Sequence, residues 1–460
     1  MVDHDRGARA TSVALTVVLC LLAGLATAWA EGPGLRTESL ILHPSFDVGG
    51  GYDSNFWRES AQESSSPVNG VAIFRTTAGL TLANRASRRI GVEWDTTAGL
   101  RLATSSTADL TNSPLDSEVA FDSFRTRLGL SFMKRSPVTL DIEARVKYTE
   151  RPAVESLRED GYQQLDLHFG PDLRFRPGAN PDSRALELRL GYRFALQRYV
   201  CDFLVCESDD DLTAYEALGA NRGQSNTHKL SLVTRWQFFP KTALLLDVQY
   251  WVVDYPRVYD LDARGEEVRA PDKDASPLRA ELGLKGLITP RISMTIRGGY
   301  VNSFHASGES YEGPIGRFHL EYWLEPVLRI KLHYQLKLGD DGFANYFVLH
   351  RSAFTTTVNL PSRLAITGEV GFDYYAYSIE GVPSWAEGLQ QRKEPILRTK
   401  VVFAWAPTDW FDVRASWELE DNNSAFAYCL GEQPGFCAES AYDRVEYTRH
   451  LVMLRLATNY

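Results

Sequence analysis

The chain contains no long hydrophobic run after residue 30, and its mean hydropathy is -0.25. No membrane-spanning helix is therefore expected beyond that point, since such a helix needs about 20 consecutive apolar residues. The net charge of -10 argues against a nucleic-acid partner, because proteins that bind nucleic acids present basic surfaces. Neither feature excludes a membrane, because a β-barrel places its apolar residues only at alternate positions.

The sequence also lacks the motifs of the common enzyme classes. There is no G-x-S-x-G, no H-E-x-x-H and no P-loop. Several histidines lie in predicted strands, but none adjoins a nucleophile motif: His43, His168, His319, His333 and His350. A lone strand histidine is more often a polar wall residue than a catalytic group. We therefore expect no enzyme activity, no cofactor and no metal.

The one apolar run, Val13 to Leu25, follows two arginines and precedes Ala28-Trp29-Ala30. This is the pattern of a secretory signal with a small-x-small cleavage site, so the mature chain is expected to begin at Glu31. A transmembrane anchor is the alternative, but the run is short. We predict a signal peptide over residues 1–30 and one domain over residues 31–460.

Cysteine is scarce, with five residues in the chain. Cys20 raises the alternative of a lipoprotein, but it lies inside the apolar run and lacks the usual small residue before it. The other four form two close pairs, Cys201 with Cys206 and Cys429 with Cys437. Because exported chains meet an oxidising compartment, we predict two loop disulfides. Metal binding is the rival interpretation, although no histidine or C-x-x-C motif accompanies either pair.

The stretch from Ala185 to Gln197 shows the pattern that recurs through the chain. Its apolar residues share one parity, and its polar residues share the other. The apolar set is Leu186, Leu188, Leu190, Tyr192, Phe194 and Leu196. A strand directs alternate side chains to opposite faces. Alternation over about twelve residues is long for a soluble sandwich and suffices to cross a bilayer at a tilt.

About eighteen such segments follow one another between Leu42 and Tyr460, which predicts an all-β fold. Their connections alternate between long polar loops, such as Val200–Asn226, and short turns, such as Pro240–Thr242. Outer-membrane barrels have short periplasmic turns and long extracellular loops. We therefore predict a closed antiparallel transmembrane β-barrel of about eighteen strands. The first strand begins close behind Glu31, so we expect no plug domain.

Two short segments resemble outer-membrane proteins of Gram-negative bacteria. The run Val452, Leu454, Leu456, Thr458 and Tyr460 resembles the terminal strand that the barrel-assembly machinery recognises, although Phe is the usual last residue. Gly49 to Asn55, which reads G-G-G-Y-D-S-N, resembles the start of barrels that include polysaccharide-export proteins. The resemblance implies an outer-membrane location, contact with outer-membrane lipids, and the assembly machinery as a partner. Periplasmic polysaccharide-export components are a further implied partner.

The inward-facing parity carries more Arg and Lys than Asp and Glu, although the whole chain is acidic. Cation rings favour anion passage through pores, whereas a ladder of cross-strand ion pairs would merely stiffen the wall. The predicted pore-lining cations are Arg189, Arg193, Arg297, Arg317, Arg329, Lys331, Lys337, Arg351, Arg398 and Lys400.

These features predict a porin-like channel for hydrophilic solutes, with exported anionic polysaccharide as one cargo. A general or nutrient diffusion porin and a non-conducting structural or adhesive barrel are the alternatives.

Overall fold

The structure is a computed structural model. It describes residues 35–37, 39–55, 70–84, 89–105, 119–134, 136–150, 163–177, 185–200, 224–256, 259–261, 267–269, 274–324, 326–339, 345–378, 392–424, 427–429, 442–444 and 446–459. The predicted signal peptide, Cys201, Cys206, Cys437 and Tyr460 lie outside these ranges. Only the backbone of Cys429 is described, so the predicted disulfides stay predictions.

Eighteen long strands form the body of the molecule. They are β1 (Leu40–Asp53), β2 (Val71–Asn84), β3 (Ile90–Ser105), β4 (Val119–Phe132), β5 (Val138–Glu150), β6 (Gln163–Phe175), β7 (Leu186–Val200), β8 (Ser225–Phe239), β9 (Thr242–Asp254), β10 (Leu278–Thr289), β11 (Ile292–Asn302), β12 (Glu312–Leu324), β13 (Leu328–Gly339), β14 (Phe347–Leu360), β15 (Leu364–Tyr377), β16 (Lys393–Trp405), β17 (Phe411–Asn422) and β18 (Tyr447–Asn459).

Each of these strands pairs antiparallel with the next, and β1 pairs with β18, so the sheet closes on itself. Closure removes the free edges that an open sheet would expose. The predicted fold class and the predicted number of strands are confirmed. The first predicted strand, Leu42–Phe56, is displaced: β1 runs from Leu40 to Asp53. Among the described residues, no helix is long and apolar enough to cross a bilayer.

The two ends of the barrel differ in the length of their connections. At one end β8 and β9 are joined by two residues, Pro240 and Lys241, and β14 leads into β15 through a 3₁₀ turn, Pro361–Arg363. At the other end, residues 201–224 connect β7 to β8, and residues 255–277 connect β9 to β10. This confirms the predicted segregation of loops and assigns the short turns to the periplasmic end.

The outer face of the barrel is apolar. Leu190, Leu282 and Leu454 are each more than half exposed, with relative exposures of 56%, 55% and 53%. A soluble protein seldom exposes apolar residues in a continuous band, whereas a membrane barrel must present them to lipid. The parity predicted from Ala185–Gln197 is the parity that the barrel directs outward.

Aromatic side chains on the outer face differ between the two ends. Tyrosines project near the long-loop end, and two of them meet histidines: Tyr192 Oη lies 2.8 Å from His228 Nδ1, and Tyr334 Oη lies 3.0 Å from His350 Nδ1. Large exposed aromatics such as Trp236 lie near the short-turn end. Amphipathic rings favour both membrane interfaces, so these residues fit the aromatic girdles that flank the apolar band of a membrane barrel.

Candidate functional site: the barrel lumen

The lumen is lined by the side chains whose parity is opposite to that of the apolar outer face. On β7, Arg189 and Arg193 alternate with outward Leu190 and Tyr192. On β13, Leu332 faces outward, and Arg329, Lys331 and Lys337 lie at the opposite, inward parity. The structure places all ten predicted pore-lining cations on this inward face, spread over β7, β11, β12, β13, β14 and β16.

Many of the cations lie directly opposite another cation on the neighbouring strand. Seven such pairs occur among the described strands. They are Arg75–Arg101, Arg125–Lys147, Arg127–Arg145, Arg174–Arg189, Arg193–Lys229, Arg297–Arg317 and Arg414–Arg455. Like charges directly opposite each other destabilise a sheet. The lumen therefore concentrates positive charge at positions where a purely structural wall would alternate its signs.

Shared carboxylates hold several of these arginines in place. Asp373 accepts from Arg351 at 2.7 Å and lies 2.8 Å from Arg398 Nη1. Glu281 is 2.6 Å from Arg279 and 2.7 Å from Arg317. Asp373 and Glu281 are almost fully buried. One buried acid thus fixes two guanidinium groups, which leaves the local charge positive.

The inward carboxylate of Asp122 depends on a β-bulge, because strict alternation along β4 would direct this side chain outward. Gly99 pairs with Ser123 and Leu100 with Phe121, so Asp122 is the extra residue. Its side chain lies 3.1 Å from Arg101 and 3.5 Å from Arg75. Bulges commonly redirect a side chain in this way. Sequence reasoning missed Asp122, and the only signal was the irregular spacing of apolar residues in V-A-F-D-S-F.

Three of the predicted pore-lining cations lie on β13, and they are only partly neutralised. Arg329 forms an ion pair with Glu321. Lys331 and Lys337 have no ion pair within the part of the chain that the structure describes. The same holds in that part for further inward cations: Arg125, Lys147, Lys229, Arg235, Lys285 and Arg455. Inward carboxylates without an ion pair there are fewer: Asp47, Asp95, Asp166 and Glu369.

The inward face changes character near the long-loop end. Leu349, Tyr375, Tyr377 and Ile396 form a buried apolar cluster there, just beyond Arg351. The guanidinium of Arg392 lies 4.1 Å from the centre of the Tyr377 ring. Strand alternation alone could not predict this cluster. Alternation indicates which face of the sheet a side chain takes, but not which other side chains pack against it there. On β14 to β16, an apolar cluster therefore lies on the long-loop side of Arg351.

Apolar residues also occupy the inward face where the barrel closes. Met453 on β18 is buried, and its neighbour Leu451 packs against a cluster that includes Val71 and Ile73 of β2. Gly51 of β1 makes the burial of Met453 possible, because a Cβ there would lie 2.3 Å from Met453 Sδ and 2.1 Å from Val452 O. The glycine segment near the start of the barrel thus has a packing role.

No protein-family model and no curated protein matches the chain. Solved structures of similar fold include OpdK of Pseudomonas aeruginosa with vanillate, at 12% identity and a TM-score of 0.48, covering 91% of this chain and 99% of that one. OccK2 (OpdF) of P. aeruginosa in complex with glucuronate has 8% identity, 93% and 99% coverage, and a TM-score of 0.48. OccAB2 of Acinetobacter baumannii has 13% identity, 94% and 99% coverage, and a TM-score of 0.46.

The classification rests on the architecture of the chain itself. Eighteen antiparallel strands close into a barrel with an apolar outer face, a charged lumen, short turns at one end and long loops at the other. These are the defining features of bacterial outer-membrane barrels. The chain forms an outer-membrane β-barrel.

Proposed function

We propose that this barrel is a passive, porin-like channel that prefers hydrophilic anions. Barrels of about 16–18 strands leave an aqueous channel, and charge on the wall of such a channel selects the ions that pass. The observation that carries the proposal is the set of directly opposed cations, represented by Arg297 and Arg317. A wall built only for rigidity would pair opposite charges at these positions.

The buried carboxylates support this interpretation. Glu281 and Asp373 each contact two arginines, so each carboxylate positions two cations and cancels only one of their two charges. Fixed positive groups of this kind raise the local concentration of anions in a narrow cleft. A general diffusion porin would need no such arrangement, and neither would a structural or adhesive barrel.

Exported polysaccharide is one anionic cargo within this proposal. It rests on the resemblance of Gly49 to Asn55 alone, and the comparisons with solved structures do not support it. A smaller hydrophilic anion fits the lumen chemistry equally well. Conductance that appears only after a periplasmic export component is added would favour the polysaccharide.

Planar-bilayer recording tests the proposal. The purified barrel under a salt gradient should give a reversal potential on the anion-selective side, and the preference should shrink at high salt because the Debye length falls from about 10 Å at 0.1 M to about 3 Å at 1 M. The double variant Arg297→Gln, Arg317→Gln should move the potential toward cations. Cation selectivity of the unmodified barrel would overturn the anion preference, and a complete lack of conductance would favour the structural alternative.

A further inference from the structure

The wall of the lumen contains a recess at its short-turn end. The recess has a volume of about 520 Å³ and lies along β2 to β7. Asn84, Gly91 and Lys134 line it, and all three are close to the short turns that face the periplasm. Its size falls within the range of small-molecule sites. The recess is therefore placed where a solute from the periplasm first meets the wall.

The charged side chains around the recess are mostly cationic. Six cations line it, and four carboxylates accompany them. The cations are Arg127, Lys134, Arg174, Arg176, Arg189 and Arg193. The carboxylates are Glu93, Asp141, Glu143 and Asp172. Guanidinium groups at this density suit oxyanions, because their fork of donors matches carboxylate and phosphate oxygens.

Arg174 and Arg189 form the centre of this cluster. They lie directly opposite each other on β6 and β7. Both approach Glu187, at 3.7 Å and 3.6 Å, which is too long for a hydrogen bond, whereas Arg176 contacts the same carboxylate at 2.9 Å. The buried Nε atoms of Arg174 and Arg189 have no hydrogen-bond partner among the described residues. Of the two, only Arg174 has a short ion pair, with Asp141 at 3.0 Å.

The remaining carboxylates of the recess are already engaged. Asp172 forms an ion pair with Arg193, which also donates to Gly170 O at 2.9 Å. Glu143 accepts from Arg127 at 2.9 Å. Lys134 has no ion pair in the described part of the chain. Its Nζ lies 3.3 Å from the point that a Cβ on Gly91 would occupy, so this glycine leaves the ammonium room over the recess.

We propose that this recess is a saturable binding site for a polyvalent oxyanion that bears phosphate or carboxylate groups and enters from the periplasm. Arg174, Arg189 and Lys134 contact the ligand, and Glu187, Asp141 and Asp172 hold the guanidinium groups in position. A binding site differs from a general anion preference in two measurable ways. One probe should bind per barrel, and the probe should act more strongly from the short-turn side. Access from the periplasm rests on the proposed channel, whereas binding itself does not.

Calorimetric titration of the detergent-purified full chain tests the site. Inorganic pyrophosphate and citrate, added separately, serve as phosphate and carboxylate probes. We expect one-site binding of at least one probe, and the stronger probe identifies the preferred group. The double variant Arg174→Gln, Arg189→Gln should weaken it at least about tenfold, because the probe loses its charge-assisted hydrogen bonds to two guanidinium groups.

The matched control removes the same number of charges elsewhere in the lumen. Arg297→Gln, Arg317→Gln should leave the probe affinity within about twofold, because a local site depends on its own contacts. Equal weakening in both double variants would replace the site with a diffuse lumen field. Absence of saturable binding to the unmodified barrel would overturn the proposal.

Bilayer recording separates this proposal from the channel proposal. The probe that binds should block the current at a lower concentration from the short-turn side, and the Arg174→Gln, Arg189→Gln barrel should lose that block. Equal block from both sides would contradict a periplasmic site. A barrel that binds the probe but does not conduct would keep the site and reject the channel. An anion-selective barrel without saturable binding would keep the channel and reject the site.

Discussion

Asp53 of the first barrel strand and Arg449 of the last form a bidentate ion pair across the line where the barrel closes. Both Asp53 oxygens lie 2.9 Å from Arg449 Nε, and Oδ2 lies 2.5 Å from Nη2. Asp53 has no solvent exposure, and Glu420 lies 3.8 Å from the same guanidinium. The strands farthest apart in sequence are thus joined by a buried charge pair.

Loss of one partner of this pair should destabilise the barrel strongly. Asp53→Asn leaves the partly buried guanidinium of Arg449 without its main counter-charge, and loss of one partner of a buried pair typically costs about 3–5 kcal/mol. Urea unfolding in lipid vesicles measures the change. Removal of the exposed pair Arg363–Asp409 is the control, and Asp409→Asn should cost less than about 1 kcal/mol. Similar losses in the two variants would contradict the role of the closing pair.

Gly51→Ala should impair closure of the barrel. The added methyl group would meet the backbone oxygen of Val452 at 2.1 Å, and backbone cannot move aside as a flexible side chain can. The fraction of chains that assemble is read from heat-modifiable gel mobility. Gly298→Ala should assemble normally, because no atom lies within 4 Å of its added Cβ. Normal assembly of Gly51→Ala would show that β1 and β18 separate easily.

The outer face should reject charge at mid-membrane depth. Leu190→Arg and Leu332→Arg should each cost about 2–4 kcal/mol, because arginine must leave water for hydrocarbon. Lys331→Gln changes the residue next to Leu332 on the opposite face and should be far better tolerated. Urea unfolding in vesicles gives the free energies. A reversed order at Leu332 and Lys331 would contradict the assignment of the two faces.

Neutralising different cations of β13 should not have equal effects on ion selectivity. Lys331→Gln and Lys337→Gln each remove a cation that has no ion pair among the described residues, so each should shift the reversal potential toward cations. Arg329→Gln should shift it further, since it also leaves Glu321 without that partner. Single-substitution barrels under the same salt gradient provide the comparison. An unchanged potential in all three would place the selective region elsewhere in the lumen.

Strand number, strand order and the identity of the two faces could be predicted from sequence, because a side-chain period of two is a local property. Pairing across strands could not. The sharing of Asp373 by Arg351 and Arg398 depends on register among three strands, and the inward turn of Asp122 depends on a bulge. Leu451 and Met453 are apolar residues at inward positions of β18, where alternation predicts polar ones. Leu451 packs against an apolar cluster that includes residues of β2, and Met453 lies against Gly51 of β1.

A carboxylate that serves two arginines also makes the lumen easy to alter in evolution. At Asp373, one base change converts the codon to that of asparagine and leaves both Arg351 and Arg398 without their shared counter-charge. The wall would become more cationic in a single mutational step, without any change to the lipid-facing surface. Related barrels could therefore diverge in the solutes they admit while they keep the same shell.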